Sequence, residues 1–389
     1  TLDEKSDCLS VYIDGEMMTY IPVGISKTWN YSNFLAHEDV EYAQIYCAGK
    51  SLNDVCPSHL LHSWTQIYNL LKAYYRSFNV SKINLNENCF YDMVPDRFLL
   101  EYCRMKNEIC NWVFQNYKRP ENYRLLVNTQ KVISDIKYRK LNLDASYMKK
   151  YFHEKKARSL MKEYSNKDAY CHFNLFGSKT GRLATMPNSF PIHNLKKEYR
   201  GMINCNNDFF IELDYNAAEA RVVLGLLGKE QPEGDIHQYH ADKLYRGLLD
   251  RDEAKTRFFS WLYNPESQDH LSSREYDRDT LLSEYFMNNQ VVNIFNRKIS
   301  CDDRRAFNYL IQSTCADLVS EKMYNIFDML LDRESYIAFS LHDSIIIDFS
   351  SSDKDLIPFI LSEFQDTRFG KFKSSVHAGE NYGNLKKVM

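Results

Sequence analysis

The sequence predicts an α+β fold, and three stretches predict it. Phe209, Ile211 and Leu213 alternate with Phe210 and Glu212 as a half-buried strand does, and from Ala217 the apolar period lengthens to that of a helix. Residues 304 to 331 keep a helical pattern without a break. Residues 336 to 349 read as two apolar strands hinged at His342-Asp343-Ser344. The first junction leaves Asp214 at the end of a strand, where it is either a turn or N-cap residue or a carboxylate that a rigid sheet aims at a metal. The hinge supplies a second carboxylate, Asp343. Polar groups at the tip of a greasy hairpin are costly unless they meet water, a metal or a ligand.

A chain of 389 residues has room for two or three domains and a large core. Hydrophobic residues make up 44% and charged residues 26%, a globular rather than a disordered balance. No apolar run is long enough to span a bilayer and no leader pattern is present, so a soluble chain without membrane partners is expected. It begins at Thr1 without a methionine, which leaves upstream residues open. Ten cysteines are scattered with no C-x-x-C pair. That pattern argues against a zinc ribbon and for reduced, mostly buried thiols in a reducing compartment. Net charge is −3, yet between Lys118 and Arg200 there are 19 Lys and Arg against 7 Asp and Glu. This stretch is either a polyanion-binding surface or a set of solvated helix faces.

In chain order, residues 8 to 23 read as two β-rich segments around Asp14-Gly15, a hairpin signal. Helical stripes follow at 60 to 78, through Leu61, Trp64, Ile67, Tyr68, Leu71 and Tyr75, and at 97 to 117. Asp39, Glu41, Asp54, Asp92 and Asp96 form no metal-site spacing. Residues 123 to 167 are helical and basic, carrying Lys149, Lys150, Lys155, Lys156, Arg158 and Lys162, and Asn142-Leu143-Asp144 divides them into two helices. A helix with that many cations suits a clamp on a duplex backbone. Residues 173 to 194 form a loop rich in Gly, Pro and Asn; its Lys179 and Arg182 suit phosphate or groove contacts, and an ordinary surface loop reads the same way. Asp235-Ile236-His237 starts another helical segment. Arg251, Lys255, Phe259 and Tyr263 then recur every four residues along one helix face, ended by Pro265. Two cations followed by two aromatics would meet a triphosphate at one end and a base and sugar at the other. An amphipathic helix with solvated cations and core aromatics is the alternative.

The ordered set Thr180-Gly181-Arg182-Leu183, Asp214-Tyr215 with Glu219 and Arg221, Asp235-Ile236-His237, Arg251-x3-Lys255-x3-Phe259-x3-Tyr263, Arg304 with Asn308, Gln312 and Ala316-Asp317-Leu318, and His342-Asp343 resembles the family A DNA polymerases, the polymerase I type. Gly379-Glu380-Asn381-Tyr382 looks like the family's closing strand. The resemblance implies a right-hand polymerase with an antiparallel palm sheet, helical fingers and a shortened thumb, preceded by a degenerate exonuclease-like α/β domain. The implied boundaries are 1–120 for the exonuclease-like domain, 121–170 for the thumb, 171–228 and 301–389 for the palm, and 229–300 for the fingers.

It further implies a template-directed DNA polymerase that adds deoxynucleotides to a primer 3′ end with two magnesium ions, manganese substituting. Asp214 and Asp343 would hold the metals with the Tyr215 carbonyl. Arg251, Lys255 and His237 would neutralise the triphosphate, Phe259 would stack beside the incoming base, and Glu219 with Tyr263 would form the gate against a ribose 2′-hydroxyl. Arg182, Arg304, Asn308 and Gln312 would probe the minor groove, whose acceptors vary little with sequence. His342, Lys149 and Lys155 would contact DNA. Partners would be primed DNA, dNTPs and replication helpers such as a helicase, primase or processivity factor. The location would be the cytoplasm of a bacterium or a phage-infected cell, with an organelle left open, and low Gly with many Tyr, Asn and Lys points to an AT-rich, phage-like genome.

The chain departs from the family at Ser344, where a glutamate is usual, at Asn264 in place of glycine, and at Ala217 in place of a polar residue. Weak similarity over residues 1 to 120 puts Lys106 where an exonuclease aspartate would bind metal. A lysine cannot do so, which implies no proofreading. A single-subunit RNA polymerase and a catalytically dead DNA-binding scaffold are the competing readings.

Overall fold

A computed structural model of the chain describes residues 11–13, 16–18, 47, 49–83, 85, 88, 90–187 and 189–388. The chain divides into two compact units, Thr1–Tyr123 with Ile133–Tyr138, and Arg124–Val132 with Arg139–Met389.

In the first unit β1 (Val11–Ile13) pairs antiparallel with β2 (Glu16–Met18), as the hairpin signal predicts; its turn, Asp14-Gly15, lies outside the described residues. Asp39 and Glu41 lie outside them too. Three helices follow, α1 (Leu52–Val55), α2 (Leu61–Val80) and α3 (Asp96–Asn116). Trp64, Ile67 and Leu71 of α2 and Phe98, Leu99, Tyr102, Cys103, Ile109 and Val113 of α3 form its core. Leu61 departs from the predicted stripe. It opens the helix and is 46% exposed, because the first turn overhangs the end of the packed face.

After α4 (Tyr123–Tyr138), the short β3 (Asn142–Leu143) and a 3-10 turn capped by Asp144 break the basic segment where the sequence places the break, and α5 (Lys155–Tyr164) resumes it. The predicted loop holds the two-residue strands β4 (Phe173–Asn174) and β5 (Ala184–Thr185), and β6 (Ile203–Asn204) pairs with β3.

The second unit is built on β7 (Phe209–Tyr215), which runs into α6 (Ala218–Leu226). Beyond it come α7 (Ile236–Tyr239), α8 (Arg251–Tyr263), α9 (His270–Glu275) and α10 (Arg278–Tyr285). A small sheet of β8 (Phe286–Met287), β9 (Gln290–Val292) and β10 (Lys298–Ser300) precedes the long α11 (Asp303–Met329). The β8 to β9 turn is Asn288-Asn289, both at positive φ, the backbone a tight hairpin requires. Next come β11 (Tyr336–Leu341), β12 (Ser344–Phe349), α12 (Ile357–Gln365), the β13 (Asp366–Thr367) and β14 (Gly370–Lys371) hairpin, β15 (Ser374–Gly379) and β16 (Lys386–Lys387).

The main sheet has the order β11-β12-β7-β15-β16, antiparallel throughout. Ile211 and Leu213 of β7 are buried, while Glu212 and Asp214, on the opposite face, are only half-buried. Strand alternation therefore presents two carboxylates two residues apart on one face. α11 is held by a buried ion pair: Arg297 donates from Nη2 to Asp317 Oδ1 at 2.6 Å, and Asn293 donates to Oδ2 at 2.8 Å.

Candidate active site

Register brings the two predicted carboxylates together. Ser344, the first residue of β12, lies directly opposite Asp214 on β7, so Asp343 in the preceding turn sits beside it. His342 adopts the left-handed conformation at φ 55°, which turns the hairpin and sets Asp343 at its tip. His342 also stacks on His193, centroids 5.6 Å apart, and His193 Nε2 is 3.1 Å from the Ser340 carbonyl. His193 belongs to the loop of residues 173 to 194, in which the sequence reading gave roles to Lys179 and Arg182 but none to His193.

Asp214 and Asp343 line a cavity of about 520 Å³ with Glu219, His237, Lys255 and Phe259. Burial first, then the neighbouring Glu212 and Asp343, push the Asp214 carboxyl up to about 6. Asp343 Oδ1 is buried with no hydrogen-bond partner, the nearest cation being Arg182 Nη2 at 3.9 Å. A desolvated carboxylate beside another with an unmet lone pair is the environment a divalent cation satisfies. No group of three His, Cys, Asp or Glu side chains converges on a metal position among the described residues. Magnesium does not require one, since it is usually held by one or two carboxylates, waters and substrate phosphates. Asp214 and Asp343 therefore fit it, and Tyr215 lines the same cavity.

α8 forms one wall. Asp250 caps it in a capping box with Glu253, and Arg251, Lys255, Phe259 and Tyr263 run along one face as the four-residue spacing predicts. Arg251 is held by Asp235, Nη2 to Oδ2 at 2.8 Å and Nε to Oδ1 at 3.2 Å. Asp235 in turn caps α7 and accepts from Asn216 Nδ2 at 2.9 Å; although its burial opposes this, the Arg251 pairing first, then the cap and Asn216 bonds, hold its carboxyl well below the usual range. Asn216 is braced by the fully buried Arg221, whose Nε donates to the Asn216 carbonyl at 2.8 Å. Lys255 is exposed and forms no ion pair among the described residues. His237, which the resemblance assigns to the triphosphate, lines the same cavity; it is 4% exposed, and burial depresses it to about 4.

Tyr263 donates its hydroxyl to Glu219 Oε2, and Arg182 donates from Nη2 to Glu219 Oε1 at 2.9 Å. Phe259 and Tyr263 stack with rings 9° apart. Arg182 is thus drawn into the carboxylate cluster, whereas Arg304, Asn308 and Gln312 lie at four-residue steps on α11. Asn308 Nδ2 donates to the Tyr263 carbonyl at 3.3 Å, and Arg304 pairs with Glu266 at 2.7 Å in the open. Lys149 and Lys155 are exposed and do not line the cavity. Ser344 is buried, its Oγ donating to the Leu341 carbonyl at 2.9 Å, so it closes the hairpin. Two contributors escaped the sequence reading, Lys373 and Lys387, because pairing across β15 and β16 has no short-range signature. A larger cavity of about 700 Å³ opens on another face of α8, lined by Asp252, Thr256 and Ser260, and contains neither Asp214 nor Asp343.

No family model matches the sequence, and no curated protein matches it. Its structure is similar to the POL domain of Pol1 from M. smegmatis, solved with DNA primer-template and dNTP, with a TM-score of 0.59 at 12% identity over 74% of this chain and 76% of that one. The fold is that of a polymerase domain. None of the described helices is long and apolar enough to cross a membrane.

Proposed function

We propose that the chain is a DNA polymerase of the family A type, extending a primer 3′ end with deoxynucleotides on a DNA template. The observation that carries the proposal is the convergence of Asp214, Asp343, Lys255, His237 and Phe259, from three separate elements and the β11 to β12 turn, on one cavity. The similar Pol1 domain holds primer-template DNA and dNTP, which supports the same ligand classes here.

Asp214, Asp343 and the Tyr215 carbonyl would hold divalent metal. Bound magnesium supplies Lewis-acid stabilisation of charge at the transferring phosphoryl group and acidifies a hydroxyl bound to it. Lys255, in no ion pair among the described residues, meets phosphate charge from α8, while Asp235 holds the Arg251 guanidinium in the lining of the same cavity. Neutral His237 orients phosphate oxygens through a hydrogen bond. The Phe259 ring, stacked on Tyr263, offers the apolar platform for a base. Glu219, fixed by Tyr263 and Arg182, would serve as the gate against a 2′-hydroxyl, a role that favours a DNA over an RNA polymerase.

Absence of proofreading belongs to the proposal. Lys106 is 2% exposed in the core of the first unit, with Nζ 3.3 Å from the Tyr102 hydroxyl, and does not stand at an open metal cleft. Excision of a mismatched primer end without nucleotides is expected to be absent; metal-dependent excision would overturn this part.

Extension of a labelled primer with magnesium and dNTPs, comparing the unmodified chain with Asp343→Ala, tests the main proposal. Extension lost on substitution supports it. Duplex binding without extension in magnesium or manganese favours the scaffold reading, and preferential ribonucleotide incorporation the RNA polymerase.

A further inference from the structure

The cavity of the candidate active site has a second cationic wall. Four carboxylates line it, Asp214, Glu219, Asp235 and Asp343. Of the cations on α8, Arg251 is already engaged by Asp235 and Asp252. Asp235 is offset by Arg251 and Glu219 by Arg182, so with no metal bound Asp214 and Asp343 outnumber Lys255. The balance is made up by Lys373 and Lys387, which line the same cavity from the C-terminal strands.

Their placement follows from register. Ser375 lies opposite Asp214, and Lys387 lies opposite His377, itself opposite Glu212. Side chains on paired residues share a face, so Ser375 and Lys387 stand on the sheet face that carries Asp214. Lys373, two residues before Ser375, keeps the same parity. Its carbonyl accepts the Asn216 N–H at 2.9 Å, which ties it to the junction between β7 and α6. Both lysines are exposed and neither forms an ion pair among the described residues.

We propose that Lys373 and Lys387, with the Ser375 hydroxyl, form a diphosphate-binding subsite facing Lys255 across the cavity. The group it takes is either the two distal phosphates of an incoming nucleotide or the pyrophosphate released after transfer. The assignment rests on the polymerase reading for the source of that group, but not for the binding itself.

The test uses the full chain and the variants Lys373→Ala, Lys387→Ala and the double variant. Only the backbone carbonyl of Lys373 is structural, and alanine preserves it. Calorimetric titration of magnesium pyrophosphate, needing no catalysis, is expected to show binding to the unmodified chain and about tenfold weaker binding to the double variant, with the loss shrinking at high salt. No binding by the unmodified chain, or equal binding by both, overturns the subsite. Steady-state extension separates the sources: a raised KM for dNTP points to the incoming nucleotide, and a raised pyrophosphate concentration for half-inhibition with KM unchanged points to the product. Failure of extension by the unmodified chain would remove the polymerase reading while the titration still decides the subsite.

Discussion

Asp214, Ser344 and Ser375 form one row across three strands, and only the first of them is ionisable. Ser344 spends its hydroxyl on closing the hairpin, so the acid it replaces has no stand-in on β12. Glu212, on the same face of β7, supplies negative charge nearby and contributes to raising Asp214. Ala217, like His342, is left-handed, at φ 52° and ψ 58° at the head of α6 with no side-chain cap. Left-handed backbone costs a residue with a Cβ roughly 1 kcal/mol, so Ala217→Gly is expected to raise unfolding free energy by about that amount in urea titration. Glu219→Ala removes the acceptor of Tyr263 and Arg182. It is expected to raise ribonucleotide relative to deoxynucleotide incorporation at least about tenfold, or 1.4 kcal/mol of discrimination, in single-nucleotide kinetics. An unchanged ratio would make the Glu219 pair structural.

Among the elements, α11 and α7 carry buried polar groups whose removal has opposite consequences. Asp317 of α11 is fully buried against Arg297. Truncating one partner strands the other charge, and Asp317→Ala is expected to cost about 3–5 kcal/mol in denaturant unfolding. His240, at the end of α7, is fully buried with Nε2 bonded to the Tyr276 hydroxyl and Nδ1 unpartnered. Burial, then neighbouring His237, depresses it to about 3. The folded state therefore binds the proton more weakly than the unfolded chain. Stability from this group is complete above about pH 6.5 and is lost as pH falls toward 3, an effect on the order of 5 kcal/mol. His240→Phe should flatten the acid limb of a plot of Tm against pH, and an unchanged limb would place the titrating group elsewhere.

At the scale of the whole molecule, opposite charges are segregated. The excess of Lys and Arg between 118 and 200 sits beside a chain total of −3, and Lys149, Lys155, Lys156 and Lys162 are all exposed. Several of its cations are spoken for locally: Lys196 pairs with Glu154, and Lys156 donates to the Asn194 carbonyl at 2.6 Å. Lys149 and Lys155 remain as candidates for phosphate contacts. Lys149→Ala with Lys155→Ala is expected to lower the slope of log affinity against log salt for duplex DNA by about two, with no change in sequence preference. An unchanged slope would return them to the solvated-face reading.

The local elements were legible in the sequence because they depend on neighbours in the chain. The 2.0 to 3.6 change of period at Asp214, the four-residue spacing on α8, the length of α11 and the hinge at His342-Asp343 all appear where periodicity and turn chemistry place them. What only tertiary structure decided is which side chains meet. Arg182 joins Glu219 across 37 residues, Asp235 captures Arg251 across 16, and Lys387 reaches the cavity through strand register. The burial that depresses His237 was decided in the same way, since desolvation depends on what packs around a group. Periodicity reports the face a residue occupies; its partners and its proton are set by chain segments that no local pattern brings together.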